Sequence, residues 1–201
     1  MSTAQERGTR PYIVGLGGTL RPNSSTESAL RIALQEAQSA GAQTELFGGS
    51  DLARLPMYDP ESDNVDEAVR LVEALRRADG VIIASPGYHG SVSGLVKNAL
   101  DYLEDLRDDD SPYLSGRAVG CVTTAYGWQA AVTTLQTLRS IVHALRGWPT
   151  PLGAAINSAT TRISYGEEPE ERVGFQLRTV GREVCMRSTA AQPLTSAATG
   201  S

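Results

Sequence analysis

Short apolar runs alternate with longer stretches in which apolar residues return every three or four positions, and the alternation repeats about five times. The runs are Tyr12–Leu16, Gln43–Phe47, Val81–Ala84, Ala118–Thr123 and Leu152–Ile156. Most are small or β-branched without interruption, which suits strands buried on both faces, as in a parallel sheet. Gln43–Phe47 alternates polar and apolar residues and belongs nearer an edge. Between the runs, helical spacing gives five stripes: Ala29, Leu30, Ala33, Leu34 and Ala37; Ala68, Val69, Val72 and Leu75; Leu95, Val96, Ala99, Leu100 and Leu103; Val132, Leu135, Leu138, Val142 and Leu145; Val173, Leu177, Val180 and Val184. Ser25 or Thr26 is expected to cap the first helix, which runs to about Ala40 before Gly41 stops it. Later helices are expected over about Val65–Ala78, Gln129–Leu145 and Glu168–Met186. Strand and helix in alternation predict an α/β fold: a doubly wound, five-stranded parallel sheet, order 2-1-3-4-5, with helices on both faces.

The chain has 201 residues, enough for one domain with a sizeable core. Residues 1–10 read as a flexible leader, 11–187 as the domain and 188–201 as a disordered Ala/Ser/Thr-rich tail. The leader is polar and lacks a signal peptide's apolar core, and no run approaches the roughly 20 apolar residues of a membrane span. A cytoplasmic protein without membrane contact is expected. Net charge is −5 with both signs interspersed, which argues against nucleic-acid binding through a basic face. Cys121 and Cys185 stand far apart, without metal-ligand or redox spacing, and read as buried thiols. No metal site is expected.

Strands 1, 3 and 4 would end together at the point where the strand order reverses, where open α/β sheets bind ligands. The loop after strand 1, Gly17–Thr26, is rich in hydroxyl groups and opens a helix. Thr19, Arg21, Ser24, Ser25 and Thr26, with exposed N–H groups and the helix dipole, form a candidate anion cradle. Gly15–Leu20 half-matches a dinucleotide fingerprint, but Leu20 stands where the last Gly should be. No ribose-binding acid follows before Asp51, and there is no GKS/T triplet. In the second loop, Pro86, Gly87, Tyr88, His89 and Gly90 would bring backbone amides close to a flat ring. The third loop supplies Thr124, Ala125, Tyr126 and Gly127, followed by Trp128. Residues 48–63 form a further long loop containing Leu55-Pro-Met-Tyr-Asp-Pro60, a length associated with function.

Together these loops resemble the NADPH-dependent FMN reductase family, of flavodoxin-like fold. Its members read G-S-x-R-x-x-S-x-N after strand 1 and P-E-Y-N-x-S-x-P-G-x-L-K-N-A-x-D after strand 3. This chain has Gly18-Thr-Leu-Arg-Pro-Asn-Ser-Ser-Thr26 and Pro86-Gly-Tyr-His-Gly-Ser-Val-Ser-Gly-Leu-Val-Lys-Asn-Ala-Leu-Asp101, and Leu55–Asp59 is similar to the family's LPxY loop. The resemblance covers roughly residues 11–157. It implies that Thr19, Arg21, Ser24 and Thr26 hold the FMN phosphate, that Pro86 to Gly90 line the isoalloxazine and that Thr124 to Gly127 meet its other edge. Lys97, Asn98 and Asp101 match the family and read as helix or subunit-contact residues. Gly87, His89 and Ser93 depart from it, standing for Glu, Asn and Pro.

The activity implied is hydride transfer from NADPH or NADH to FMN, the cofactor carrying the chemistry and the protein orienting it. No side chain is obligate as acid or base; His89 is an optional candidate. The electrons would leave as reduced flavin given to a partner flavin-dependent monooxygenase, or through retained FMN to a quinone, an azo compound or a biosynthetic intermediate. A flavodoxin-type electron carrier is the alternative from another class; Arg21 and the mild charge argue against it. The resemblance also implies a homodimer or homotetramer.

Overall fold

A computed structural model describes residues 10–62 and 65–191. The expected leader, apart from Arg10, and the tail from residue 192 lie outside the described residues. In chain order the elements are β1 (Tyr12–Gly17), α1 (Ser25–Ser39), β2 (Gln43–Phe47), a short α2 (Gly49–Leu52), α3 (Asp66–Arg77), β3 (Gly80–Tyr88), β4 (Ser91–Val92), α4 (Gly94–Asp101), β5 (Ala118–Ala125), α5 (Trp128–Ala144), β6 (Trp148–Pro149), β7 (Ala154–Asn157) and α6 (Glu171–Ala191). A 3-10 turn, Tyr102–Leu106, continues α4.

The sheet runs β2-β1-β3-β5-β6, parallel throughout, with β7 also parallel to β5. The expected strand order and edge position of Gln43–Phe47 are therefore present. The fifth strand is two pieces on one edge: β6 pairs with Ala118–Val119, β7 with Val122–Ala125. Alternate residues of the central strands feed two cores. Val14, Leu16, Val81, Ile83, Val119 and Cys121 join the core under α3, α4 and α5. Ile13, Ile82, Ala84 and Val122 join the one under α1 and α6. Uninterrupted apolar strands arise because both faces are covered.

Several local expectations change. Ser24, not Ser25 or Thr26, caps α1, its Oγ accepting from Glu27 N at 3.2 Å. Val69 and Val132, assigned to inner stripes, are 47% and 46% exposed; spacing alone does not fix which side of the stripe a flanking residue takes. The last helix does not end at Met186, nor does a tail start at 188. The helix continues to Ala191, with Ser188 buried and its Oγ donating to the Asp79 carbonyl at 3.1 Å. In the acidic run 108–110, Asp109 accepts from Arg76 Nε at 2.8 Å, tying the run to α3.

Candidate functional site

The order reverses between β1 and β3, and the carboxyl ends of β1, β3 and β5 open into one cleft of about 1220 Å³. That exceeds the roughly 300–1,000 Å³ of most small-molecule sites, leaving room for a cofactor and a second molecule. From the predicted set, Thr19, Arg21, Ser24, Ser25 and Thr26, then Pro86, Gly87 and Tyr88, then Thr124, Ala125 and Tyr126 line it.

The first wall is an anion cradle. Thr19 Oγ1 accepts from Arg21 N at 3.1 Å, curling the loop, and Asn23 sits at φ +53° before the helix begins. The N–H groups of Ser25 and Thr26, in the first turn of α1, have no intrahelical acceptor. Glu27, the acid of that turn, is drawn aside: it pairs with Arg31 at 2.7 Å and accepts from Gly49 N at 3.2 Å. Among the described residues no Asp or Glu lines the cleft, whereas Arg21 and Arg162 do. A doubly charged phosphate fits this donor set. At the floor, the hydroxyls of Thr26 and Thr124 lie 2.6 Å apart, joining the first wall to the third.

The second wall differs from expectation. Pro86–Tyr88 are not loop but the end of β3, folded back onto β4 through Gly87↔Val92 and Tyr88↔Ser91. Only His89 and Gly90 form the turn, at φ +51° and +83°. Positive φ at both central residues is the hairpin geometry whose twist matches paired strands. The turn carries His89 and Gly90 to an exposed tip, and neither lines the cleft.

Two departures from the family pattern acquire physical reasons here. A Cβ on Gly87 would stand 2.5 Å from Thr134 Oγ1 and 3.0 Å from Ala125 Cβ, so a Glu does not fit above this α5. Ser93 caps α4, accepting from Val96 N at 3.2 Å, and its own N–H donates to Ser85 Oγ at 3.0 Å, a bond that Pro cannot make.

Gly127 is at φ +114°, outside the cleft lining, and donates to Asn157 Oδ1 at 2.9 Å. Trp128 begins α5 and is also outside the lining. The Leu55–Asp59 loop does not reach the cleft. Asn98 holds it instead: Tyr58 N donates to Asn98 Oδ1 at 2.9 Å and Asn98 Nδ2 to Pro56 O at 2.8 Å. Tyr102 OH adds a 3.0 Å bond to Pro56 O, with the Tyr58 ring edge-on at 5.1 Å. Lys97 pairs with Asp101 on the surface of α4. Cys121 and Cys185 are free and buried, and burial pushes the Cys121 thiol up to about 12, leaving it without nucleophilic character.

A fourth wall was not foreseen. The segment after β7 contributes Ser158, Arg162, Ile163, Ser164 and Tyr165. In the sequence it is a polar stretch without motif. The usable signal was topological: the fifth strand also ends at this rim.

Comparison with known proteins followed the same lines. The model of the family described as NADPH-dependent FMN reductase matches residues 11–161. An FMN-dependent NADPH-azoreductase of Staphylococcus aureus (strain USA300) is 29% identical over 150 residues, covering 71% of this chain and 74% of the relative. Among solved structures, the flavoenzyme NAD(P)H:(acceptor) oxidoreductase FerB of Paracoccus denitrificans superposes with a TM-score of 0.73 at 18% identity, over 90% of this chain and 98% of that one. The apo form of the NADH:FMN oxidoreductase EmoB gives 0.67 at 22% identity, over 88% and 89%. At such identities the two structures speak for the fold.

Proposed function

Because the chain belongs to the NADPH-dependent FMN reductase family, we propose that it is an NAD(P)H-dependent FMN oxidoreductase that keeps its flavin and passes electrons to an azo compound or a quinone entering the same cleft. FMN as cofactor and NAD(P)H as donor follow from the family; the retained flavin and the acceptor are the proposal. The observation that carries it is the cleft's size, about 1220 Å³, together with the exposed rings of Tyr88, Tyr126 and Tyr165 on its walls. Such rings offer a planar, uncharged acceptor a surface to stack on. The S. aureus relative, an azoreductase by name, supports the same choice.

FMN held here would supply two-electron redox chemistry, with NAD(P)H as the donor. The chain's part is placement. Arg21, Ser24 and the first-turn N–H groups of α1 would hold the phosphate; Pro86–Tyr88 and Thr124–Tyr126 would hold the ring system by backbone and wall. The Thr26–Thr124 hydroxyl pair keeps those two groups in register. Gly87 presents bare backbone, and Tyr88 and Tyr126 restrict water at the mouth.

The reading includes a homo-oligomer in the cytoplasm. Trp128 and Val132 expose apolar surface beside the cleft, which a second copy would cover. Two free buried thiols suit a reducing compartment. Among the described residues no helix is long and apolar enough to cross a membrane.

The test is an absorbance spectrum of the purified protein, followed by NADPH oxidation with an azo dye or a quinone and no added FMN. Yellow protein that decolourises the dye is expected. Colourless protein that consumes NADPH only when free FMN is supplied would refute retention and point to reduced flavin handed to a partner monooxygenase.

A further inference from the structure

We propose that Arg162 is a second phosphate-holding residue, its guanidinium closing over the FMN phosphate from the side opposite Arg21. The inference rests on FMN occupying the cleft as described above. It assigns a role to a segment that lies beyond every motif of the sequence.

The chain path argues for it. Asn157 anchors the start of the fourth wall: its Oδ1 accepts from Gly127 N at 2.9 Å and Ala159 N at 3.0 Å, and its carbonyl accepts from Thr161 N at 3.0 Å. Ile163 is buried in the α1–α6 core. The Arg31 guanidinium lies over the Tyr165 ring at 5.7 Å. Residues 166–169 then share a groove with Ile32, Gln35, Glu36 and Ser39 of α1. Rising numbers in this segment thus follow α1 away from its start, from Arg31 towards Ser39. Read backwards, the path leads to the first turn, and Arg162 enters the cleft wall together with Ser24, Ser25 and Thr26. α6 holds the arrangement because it runs parallel to α1: Arg182 pairs with Glu36 at 2.6 Å and Cys185 Sγ reaches Ala40 O at 3.6 Å.

Charge argues for it independently. The chain carries a net −5, and several arginines elsewhere are held by carboxylates, Arg31 by Glu27, Arg70 by Glu45 and Arg178 by Glu168. Arg21 and Arg162 line the cleft, and among the described residues no acid lines its walls. A phosphate dianion accepts from both, each capable of a forked contact, while the helix N-terminus supplies a third direction. The turn that ties Thr161 to Asn157 precedes Arg162 and the buried Ile163 follows it, so the backbone is held on either side and little ordering cost remains on binding.

The experiment is a fluorescence titration of apoprotein with FMN and, separately, with riboflavin, which lacks the phosphate. Loss of one charge-assisted contact predicts FMN affinity about tenfold to a hundredfold weaker in Arg162→Ala, with riboflavin affinity unchanged. Arg162→Lys should recover part of the loss, since a point charge replaces a fork. Because the side chain is exposed, thermal melting of Arg162→Ala should match the wild type and exclude misfolding as the cause. Unchanged FMN affinity would overturn the assignment. Equal losses for FMN and riboflavin would overturn it too, making Arg162 a wall for the ring. So would an unchanged FMN titration with a raised KM for NADPH alone. Wild-type protein that binds neither flavin would instead sink the parent reading, an outcome separate from all of these.

Discussion

Gly87→Ala tests whether the second wall is as tightly backed as the geometry implies. The added methyl would lie 2.5 Å from Thr134 Oγ1, 3.0 Å from Ala125 Cβ and 3.3 Å from Thr134 Cβ. Ordinary carbon contacts are about 3.5–4.0 Å, so something must move by roughly 1 Å. Little can. Thr134 is fully buried on α5, Ala125 ends the central strand β5, and Gly87 is paired to Val92. Overpacking of this kind costs about 1–3 kcal/mol, or roughly 2–4 °C of melting temperature per kcal/mol in a chain of this size. The Thr134 hydroxyl is also the one buried side-chain polar atom without a hydrogen-bond partner among the described residues. Thr134→Ala therefore removes the obstacle while giving up an unsatisfied group, and by itself should be nearly neutral. A double-mutant cycle read by urea denaturation should show Gly87→Ala costing at least about 1 kcal/mol less in the Thr134→Ala background than alone. Equal cost in both backgrounds would refute the contact as the cause, and with it the account of why Glu is absent here.

Two further outcomes follow from features away from the cofactor. His89→Asn should leave flavin reduction by NADPH near the wild-type rate, because His89 is at the exposed turn tip; Asn also tolerates the left-handed backbone, so the melting temperature should hold or rise slightly. A collapse of the stopped-flow reduction rate would return His89 to the chemistry. Glu45→Gln bears on acid stability. Burial by itself would raise the Glu45 carboxyl, but hydrogen bonds from Tyr12 and Arg70, with the Arg70 charge, hold it below the ordinary value of 4.5. A lowered folded-state value means stability that is present above the unfolded value and lost as pH falls through the folded one. The decline of the urea midpoint below about pH 4.5 should thus be shallower in the variant; parallel curves would show that the carboxylate contributes nothing.

The strand positions were legible because each central strand is buried on both faces, which leaves an uninterrupted apolar run such as Val81–Ala84 that no helix face requires. The first wall of the cleft was legible for a chemical reason: hydroxyls, Arg21 and a helix start coincide within a few residues. The reach of β3 was not. Pro86 and Gly87 read as breakers, yet Pro86 sits at a strand end and Gly87 continues into a hairpin closed by His89–Gly90. Which side of a helix a flanking valine takes depends on neighbours far along the chain, and so Val69 and Val132 misled. Arg162 was invisible for the same reason, since only the docking of residues 163–169 along α1 brings it to the cleft. Asn98 was noticed but not understood; its role lies in two bonds to a loop some forty positions earlier, which no local pattern reveals.

The hydrogen bond between the Thr26 and Thr124 hydroxyls acts as a rivet through the bottom of the molecule's mouth. One hydroxyl rides on the helix α1, the other on the end of strand β5, so a ligand gripped at either wall would find the opposite wall already aligned. Substrates that differ only in what protrudes from the opening would therefore meet the same fixed seat, and diversification of acceptor range has to come from the rim.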